Sequence, residues 1–245
     1  MSALPSEILD LIVDDLYDEP DTVKSCCVVS KSWIPRARKH LFAYVEFHSF
    51  ESPVEWWKEA FPDPSNSPAH HTRTLSIYNI SLDTAADEVV GDLIKSFRNV
   101  VNLQLSDLDL ASLTPLHGLS PTVRSLDLAY IPFEIFDLVC SFPLLEDLSL
   151  AAPYARCDTG RWNPSPTSPK LTGSLDLRAG SWTRSFIRRL LELPDGLHFS
   201  KITLEFFEGD AESVTDLVSG CSDTLESLTM AYCPPSTSSS TPVTG

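Results

Sequence analysis

Val123-Arg124-Ser125-Leu126-Asp127-Leu128 is the stretch from which this chain can be read outward. Leu126 and Leu128 stand two residues apart, so an extended backbone puts both on one face and Ser125 and Asp127 on the other. Val123 adds a third apolar side chain just ahead of them. The same spacing returns at Phe42-x-x-Val45-x-Phe47, Val100-x-x-Leu103-x-Leu105 and Leu145-x-x-Leu148-x-Leu150. It returns again at Phe199-x-x-Ile202-x-Leu204 and Leu225-x-x-Leu228-x-Met230. Two further copies, Leu75-x-Ile77 and Leu175-x-Leu177, lack the first apolar residue. Taken at the middle residue, the copies follow one another at intervals of 22 to 30 residues. A strand motif recurring at that period predicts a repeat array, in which each strand buries its apolar face only by stacking on its neighbours.

The segments between the copies carry helical stripes. Val89, Val90, Leu93, Ile94 and Phe97 form one, and Phe133, Phe136, Val139 and Cys140 a shorter one after Pro132. Phe186, Ile187, Leu190 and Leu191 follow Trp182. Val214, Leu217, Val218 and Cys221 follow Asp210, an expected N-cap, with Gly220 as C-cap. Three segments break the pattern. His48–His71 is expected to hold a short helix over Pro53–Phe61, with one of Trp56 and Trp57 buried and the other half-exposed, and then an ordered Pro-rich loop. Pro153–Gly173 leaves no room for a helix and is expected to be a long disordered loop. The Ser/Thr/Pro-rich tail, Pro234 to Gly245, is expected to be disordered. Leu228–Met230 then becomes an exposed edge strand. Repeat arrays normally end on a polar cap, so the chain reads as a shortened form of a longer protein.

Ahead of the array, Leu4-Pro5-Ser6-Glu7-Ile8-Leu9 opens a helical region. Pro5 suits a first helical position. Ile8, Leu9, Ile12, Val13 and Leu16 trace one stripe, opposite Asp10, Asp14, Asp15 and Asp18. Pro20 is expected to stop this helix and Asp21 to cap a second, with Val23, Cys26, Cys27 and Val29 inward. Ser32 is expected to cap a third, with Pro35 in its first turn. Lys31, Arg36, Arg38, Lys39 and His40 form the one basic cluster, which suits either an acidic protein surface or a solvated helix face. Three short helices in about 40 residues make a core too small to be secure alone. Phe42 follows the third helix without a linker. Tyr44–Phe47 is therefore expected to pair with Arg73–Ile77 and fix the helices to the array.

The 245 residues hold 18 Lys and Arg against 34 Asp and Glu, a net charge of -16. That balance argues against nucleic acid or an anionic membrane as partner. A mean hydropathy of -0.03 and the lack of a long apolar run speak against a membrane span. No secretory signal pattern opens the sequence, so the Asn79-Ile80-Ser81 sequon is expected to stay unused. Cys26, Cys27, Cys140, Cys157, Cys221 and Cys233 include no CxxC pair and read as small apolar residues of a reduced protein. No phosphate-binding glycine loop, nucleophile elbow or HExxH motif occurs, and the adjacent His70 and His71 do not share a helix face. No catalytic residue, cofactor or metal is expected.

The Leu4-Pro5 opening and the Val28-Val29-Ser30-Lys31-Ser32-Trp33 segment, at their separation, resemble an F-box. The strand motif resembles degenerate leucine-rich repeats of the kind that follow F-boxes, and the chain is similar in this to F-box proteins of fungi. It departs from the regular leucine-rich pattern. The Asn or Cys expected five residues after the marker is matched only by Cys233, and Ile80, Leu108, Ile131, Pro153, Gly180 and Phe207 stand elsewhere. The resemblance implies an α/β solenoid behind a helical module: a three-helix F-box over residues 1–43, an irregular leucine-rich array over 44–233 and a tail over 234–245. It implies that the F-box docks a Skp-type adaptor, and through it a cullin, in an SCF-type ubiquitin ligase. Leu4, Pro5, Ile8, Leu9, Ile12, Leu16, Val29, Ser30, Lys31 and Trp33 would supply the contact, some of them facing the module's own core instead. The array would recruit an unknown protein substrate, in the cytoplasm or nucleus, without a catalytic residue. Two alternatives stay open: an F-box scaffold outside any ligase, and an enzyme on an uncharacterised fold.

Overall fold

In the computed structural model the marker residues of the strand motif fall into one line. The structure describes residues 5–48, 51–63, 66–82, 91, 93–110, 114–119, 121–130, 136–151, 169, 171–178, 183–206 and 210–233. Val45 pairs with Leu75, and the line continues through Leu103, Leu126, Leu148, Leu175, Ile202 and Leu228, every step parallel. The strands are β1 (Tyr44–His48), β2 (Thr74–Leu82), β3 (Asn102–Leu110), β4 (Ser125–Ala129), β5 (Asp147–Ala151), β6 (Ser174–Leu177), β7 (Lys201–Phe206) and β8 (Ser227–Tyr232). They form a single eight-stranded parallel sheet in sequence order, so the fold is α/β.

Parallel neighbours need a crossover, and helices supply several of them. α4 (Glu51–Ala60) and a 3-10 turn at Pro68–His71 lie between β1 and β2. A helical turn at 93–96 precedes β3, and a 3-10 turn at Thr114–Leu119 precedes β4. α5 (Phe136–Cys140) leads to β5, α6 (Thr183–Leu191) to β7 and α7 (Ala211–Gly220) to β8. The inner residues of β1 to β7 are at most 8% exposed. Leu93, Ile94, Phe97, Leu138, Val139, Phe186, Ile187, Leu190, Val214 and Leu217 close over them from the crossovers. Leu138 escapes the sequence stripe, whereas Leu191 lies at its rim, 36% exposed. Residues 83–90, 131–135, 152–168 and 234–245 lie outside the described residues, and with them the expectations for Val89, Val90, Phe133, most of the Pro153–Gly173 loop and the tail.

Where the motif lacks its first apolar residue, two different substitutes fill the slot. Thr72 does so ahead of β2, fully buried and with its hydroxyl oxygen unpartnered. Ahead of β6 the slot residue Thr172 is exposed, and Leu171 turns in instead, fully buried at φ 39°. A leucine in the left-handed region is strained, so its burial has to offset that cost. Left-handed backbone recurs at Asn79 (φ 53°), Asp107 (φ 55°) and Tyr130 (φ 55°). Each stands two residues beyond an inner residue of one register line, Ile77, Leu105 and Leu128. β2 and β3 absorb the irregularity together and resume pairing at Ile80 and Leu108. Gly173 is needed for a close approach: a Cβ there would lie 2.5 Å from Asp147 Oδ1 and 2.9 Å from the Glu146 carbonyl oxygen. That approach lets the Ser174 N–H and hydroxyl both donate to Asp147, at 2.7 and 2.6 Å.

The N-terminal helices are α1 (Ser6–Asp15), α2 (Pro20–Val29) and α3 (Ile34–Leu41). They have a core of their own: Val13, Val23, Cys26 and Ala37, with Leu16, Cys27, Trp33 and Leu41 packed against it. Five local expectations need correction. Glu19, not Asp21, stands at the N-cap of α2, and Asp21 lies in its first turn. Pro5 precedes α1 as its N-cap, one residue earlier than expected. Pro20 opens α2 rather than stopping α1, because its fixed φ and missing N–H suit a first turn. Ser32 does not cap α3; it meets the Ser30 hydroxyl at 2.9 Å, and Trp33 takes the N-cap position. Gly220 ends α7 within the helix; its missing side chain lets α6 approach, since a Cβ would lie 3.2 Å from a Leu191 methyl.

α3 runs into β1 across Phe42 and Ala43 alone. The Ala43 carbonyl accepts from the Arg73 and Thr74 N–H groups, at 2.8 and 3.0 Å. Tyr44–His48 pairs with Thr74–Tyr78 as expected. Phe42 sits edge-on to Trp57 and Phe61, with centroids 6.1 and 5.9 Å away. Trp57 in turn meets Phe47 and Phe97. Trp57 is buried and Trp56 exposed, as expected of the doublet.

Candidate protein-interaction surfaces

α1 is apolar on two sides. Val13 is fully buried, and Leu9 and Leu16 are partly buried beside it on a 0, 4, 7 spacing. Ile8, Leu11 and Ile12 are on the other side, 42, 63 and 41% exposed. The apolar stripe of α1 is thus wider than the module's own core covers, and the part that holds Ile8, Leu11 and Ile12 faces solvent. The single sequence stripe merged residues from both sides. It also omitted Leu11, whose exposure only the helix packing reveals. α2 behaves alike. Val23 and Cys26 are buried, while Val28 and Val29 at its end are 88 and 69% exposed. Val29 therefore corrects the expectation that it is inward, and it is free to touch a partner.

The remaining residues expected to contact a partner divide as follows. Leu4 lies outside the described residues. Pro5 and Lys31 are exposed and Ser30 is partly so. Leu16 and Trp33 pack on the module's own core. The basic cluster is largely engaged within the molecule. Arg36 binds both carboxylate oxygens of Asp14, and His40 Nε2 lies 2.7 Å from one of them. These bonds, Arg36 first and His40 second, hold the Asp14 carboxyl far below the usual carboxylate range. Arg38 donates to the Asn66 carbonyl at 3.2 Å and lies 5.8 Å from the centre of the Phe61 ring. Lys31 and Lys39 are left exposed. His70 and His71 meet beside this junction with ring centres 3.9 Å apart and planes tilted by 47°, and burial, then His70, holds the His71 imidazole below its ordinary range.

The outward face of the sheet is the second surface. Glu46, Ser76, Gln104, Asp127, Ser149, Asp176, Thr203 and Thr229 are register neighbours in one row across all eight strands. Asp127, which the strand motif puts on the face opposite Leu126 and Leu128, is one of them. Ser76 alone among them is fully buried, its hydroxyl donating to Gln104 Oε1 at 2.6 Å. The β1–β2 end of the face is aromatic. His48 stacks on Tyr78 at 5.2 Å, and Tyr44 donates to Glu46 at 2.7 Å. Glu46 also pairs with His48. Desolvation pushes the Tyr44 phenol up to about 12, so it stays a neutral donor to that carboxylate. Toward β6 the face is small and acidic, with Asp176 3.5 Å from Arg178.

Among the described residues, no helix is long and apolar enough to cross a membrane, and no group of three metal-binding side chains gathers. Compared with known proteins, the chain matches no family model, no curated protein and no solved structure.

Proposed function

We propose that the chain is a non-catalytic receptor subunit of an SCF-type ubiquitin ligase. Its helical module acts as an F-box that docks a Skp-type adaptor, and its strand array acts as a degenerate leucine-rich array that recruits a protein substrate. The observation that carries the reading is the second apolar side of α1, Ile8, Leu11 and Ile12, together with Val28 and Val29 of α2. All five are exposed on a module that already has its own core. Exposed apolar side chains gathered on one small module mark a partner site. The Ala43 and Phe42 junction supports a fixed separation between the two ends. The chain then works by proximity, holding a substrate near a ubiquitin-charged partner and raising its effective concentration.

The test is binding to a purified Skp-type adaptor. The Leu11→Asp, Val28→Asp double variant, and separately the Leu4→Ala, Pro5→Ala pair, are expected to lose adaptor while keeping the far-ultraviolet spectrum of the wild type. Equal adaptor binding by wild type and both variants would overturn the assignment.

A further inference from the structure

The basic cluster read from the sequence changes membership when the chain folds. Arg36 and His40 leave it, because Asp14 takes both. Arg38 and Lys39 stay, and the 3-10 turn at Pro68–His71, which packs against α3, adds His70 and His71. Hydrogen bonds carry the patch further. Asn99 donates to the His70 carbonyl oxygen at 2.7 Å, and Arg73 donates to the Asn99 carbonyl oxygen at 3.4 Å. Arg98 stands next to Asn99 in the chain and is exposed, as are Lys39, His70 and Arg73. Basic side chains from α3, from the turn and from just ahead of β2 and β3 thus gather at the edge where the first strands begin.

This patch lacks a counter-charge. None of its six members forms an ion pair with a carboxylate among the described residues; the pairs of Lys24, Arg36, His48, Arg124 and Arg178 lie elsewhere. Arg38 turns to the Asn66 carbonyl and the Phe61 ring, both uncharged. Asp63, the carboxylate next along that path, accepts from the Asn66 side chain at 3.0 Å. Burial, then His70, Arg38 and Lys39, hold the His71 imidazole below its ordinary range, and no described carboxylate offsets them. Like charges held together repel, and an anion placed among them relieves the repulsion.

We propose that this patch docks a short acidic segment of a partner protein, with Asp or Glu carboxylates of that segment on Lys39, His71, Arg73 and Arg98. Size and charge decide against other anions. From β1 to β3 is two strand spacings, about 10 Å, which an extended chain crosses in about three residues. A single phosphate group would engage only part of such a patch. Nucleic acid or an anionic membrane would extend past it and meet the field of a chain with net charge -16. The patch shares no residue with the exposed apolar side chains of α1 and α2 or with the polar row of the sheet. It therefore stands or falls apart from the proposed adaptor and substrate surfaces.

Titration of a fluorescent hexaglutamate peptide into the full chain at low ionic strength tests the docking. Binding is expected to weaken steeply as salt rises, and a hexaglutamine peptide should not bind. The bound carboxylates should also raise the pH at which the His71 ring titrates, read by NMR from its carbon-bound protons. The Lys39→Glu, Arg73→Glu pair, both at exposed positions, is expected to weaken binding by about tenfold or more with an unchanged far-ultraviolet spectrum. The Lys24→Glu, Lys201→Glu pair changes the net charge equally at exposed positions outside the patch, and should bind nearly as the wild type does. No binding at low salt would overturn the proposal. Equal losses in the two pairs would overturn it as well, since overall charge alone would then govern binding. So would a His71 titration that stays unmoved with the peptide bound. Tighter binding of an otherwise uncharged phosphoserine peptide would overturn the acidic segment in favour of a phosphate group.

Discussion

Thr72 holds a hydroxyl where the repeat calls for a hydrocarbon. It occupies the first apolar slot ahead of β2, is fully buried, and leaves its oxygen unpartnered. A buried hydroxyl without a hydrogen bond costs on the order of 1 to 3 kcal/mol. Thr72→Val keeps the branched shape and removes that oxygen, so it is expected to stabilise the chain by about 1 kcal/mol, read as a higher urea midpoint. A lower midpoint would mean that the hydroxyl is satisfied. Leu171 meets the same demand ahead of β6 by a different route, a left-handed backbone. Neither substitution was legible in the sequence, where both copies only lacked an apolar residue. The marker residues, by contrast, could be read directly. A period of two fixes which side chains share a face of a strand whatever the details of its neighbours. Ile8 and Val13 show the limit of that logic on a helix: both belong to the stripe, yet Ile8 is 42% exposed and Val13 fully buried, because the module's own core covers only part of the stripe.

α1 and α3 are joined by a carboxylate, which sets how the pair responds to acid. Asp14 takes both Arg36 and His40. Its carboxyl titrates well below its ordinary value of 3.8, so the folded state binds this proton less readily than the unfolded chain. The stabilisation is then fully present above about pH 4 and declines as the pH falls below it. Asp14→Asn is expected to lower the melting temperature by a few degrees near neutrality, and the gap to wild type should narrow progressively as the pH falls below about 4. A gap that stays constant over that range would mean that the carboxylate contributes no more than its shape. The sequence placed Asp14 on the polar side of α1 and Arg36 and His40 in a basic cluster. It could not show that the two neutralise each other, because the contact closes over 22 residues only once the helices pack. Pro20 was misread for a related reason. A proline between two helical stripes ends one or begins the other, and a four-residue gap after Asp15 makes room for the second choice.

The whole molecule hangs together through Phe42. Its ring is wedged against Trp57 and Phe61, and the next carbonyl opens the β1–β2 ladder. Phe42→Ala is expected to cost on the order of 3 kcal/mol. Hydrogen exchange should then quicken both in α3 and in β1 and β2. Faster exchange in α3 alone would show that the helices and the sheet open independently. The parallel order of eight strands was readable from eight markers at a near-constant interval. The crossovers were less readable, since a 3-10 turn at Thr114–Leu119 and a five-residue helix at Phe136–Cys140 do the same covering task as longer helices. One further consequence follows from the polar row that crosses the sheet. Apart from Ser76, which is tied to Gln104, its residues take no part in the buried line beside them. Asp127, Ser149 or Thr203 can therefore be exchanged for other side chains with little effect on folding. A lineage carrying this scaffold can change what the face recognises by point substitution while the architecture is inherited unaltered.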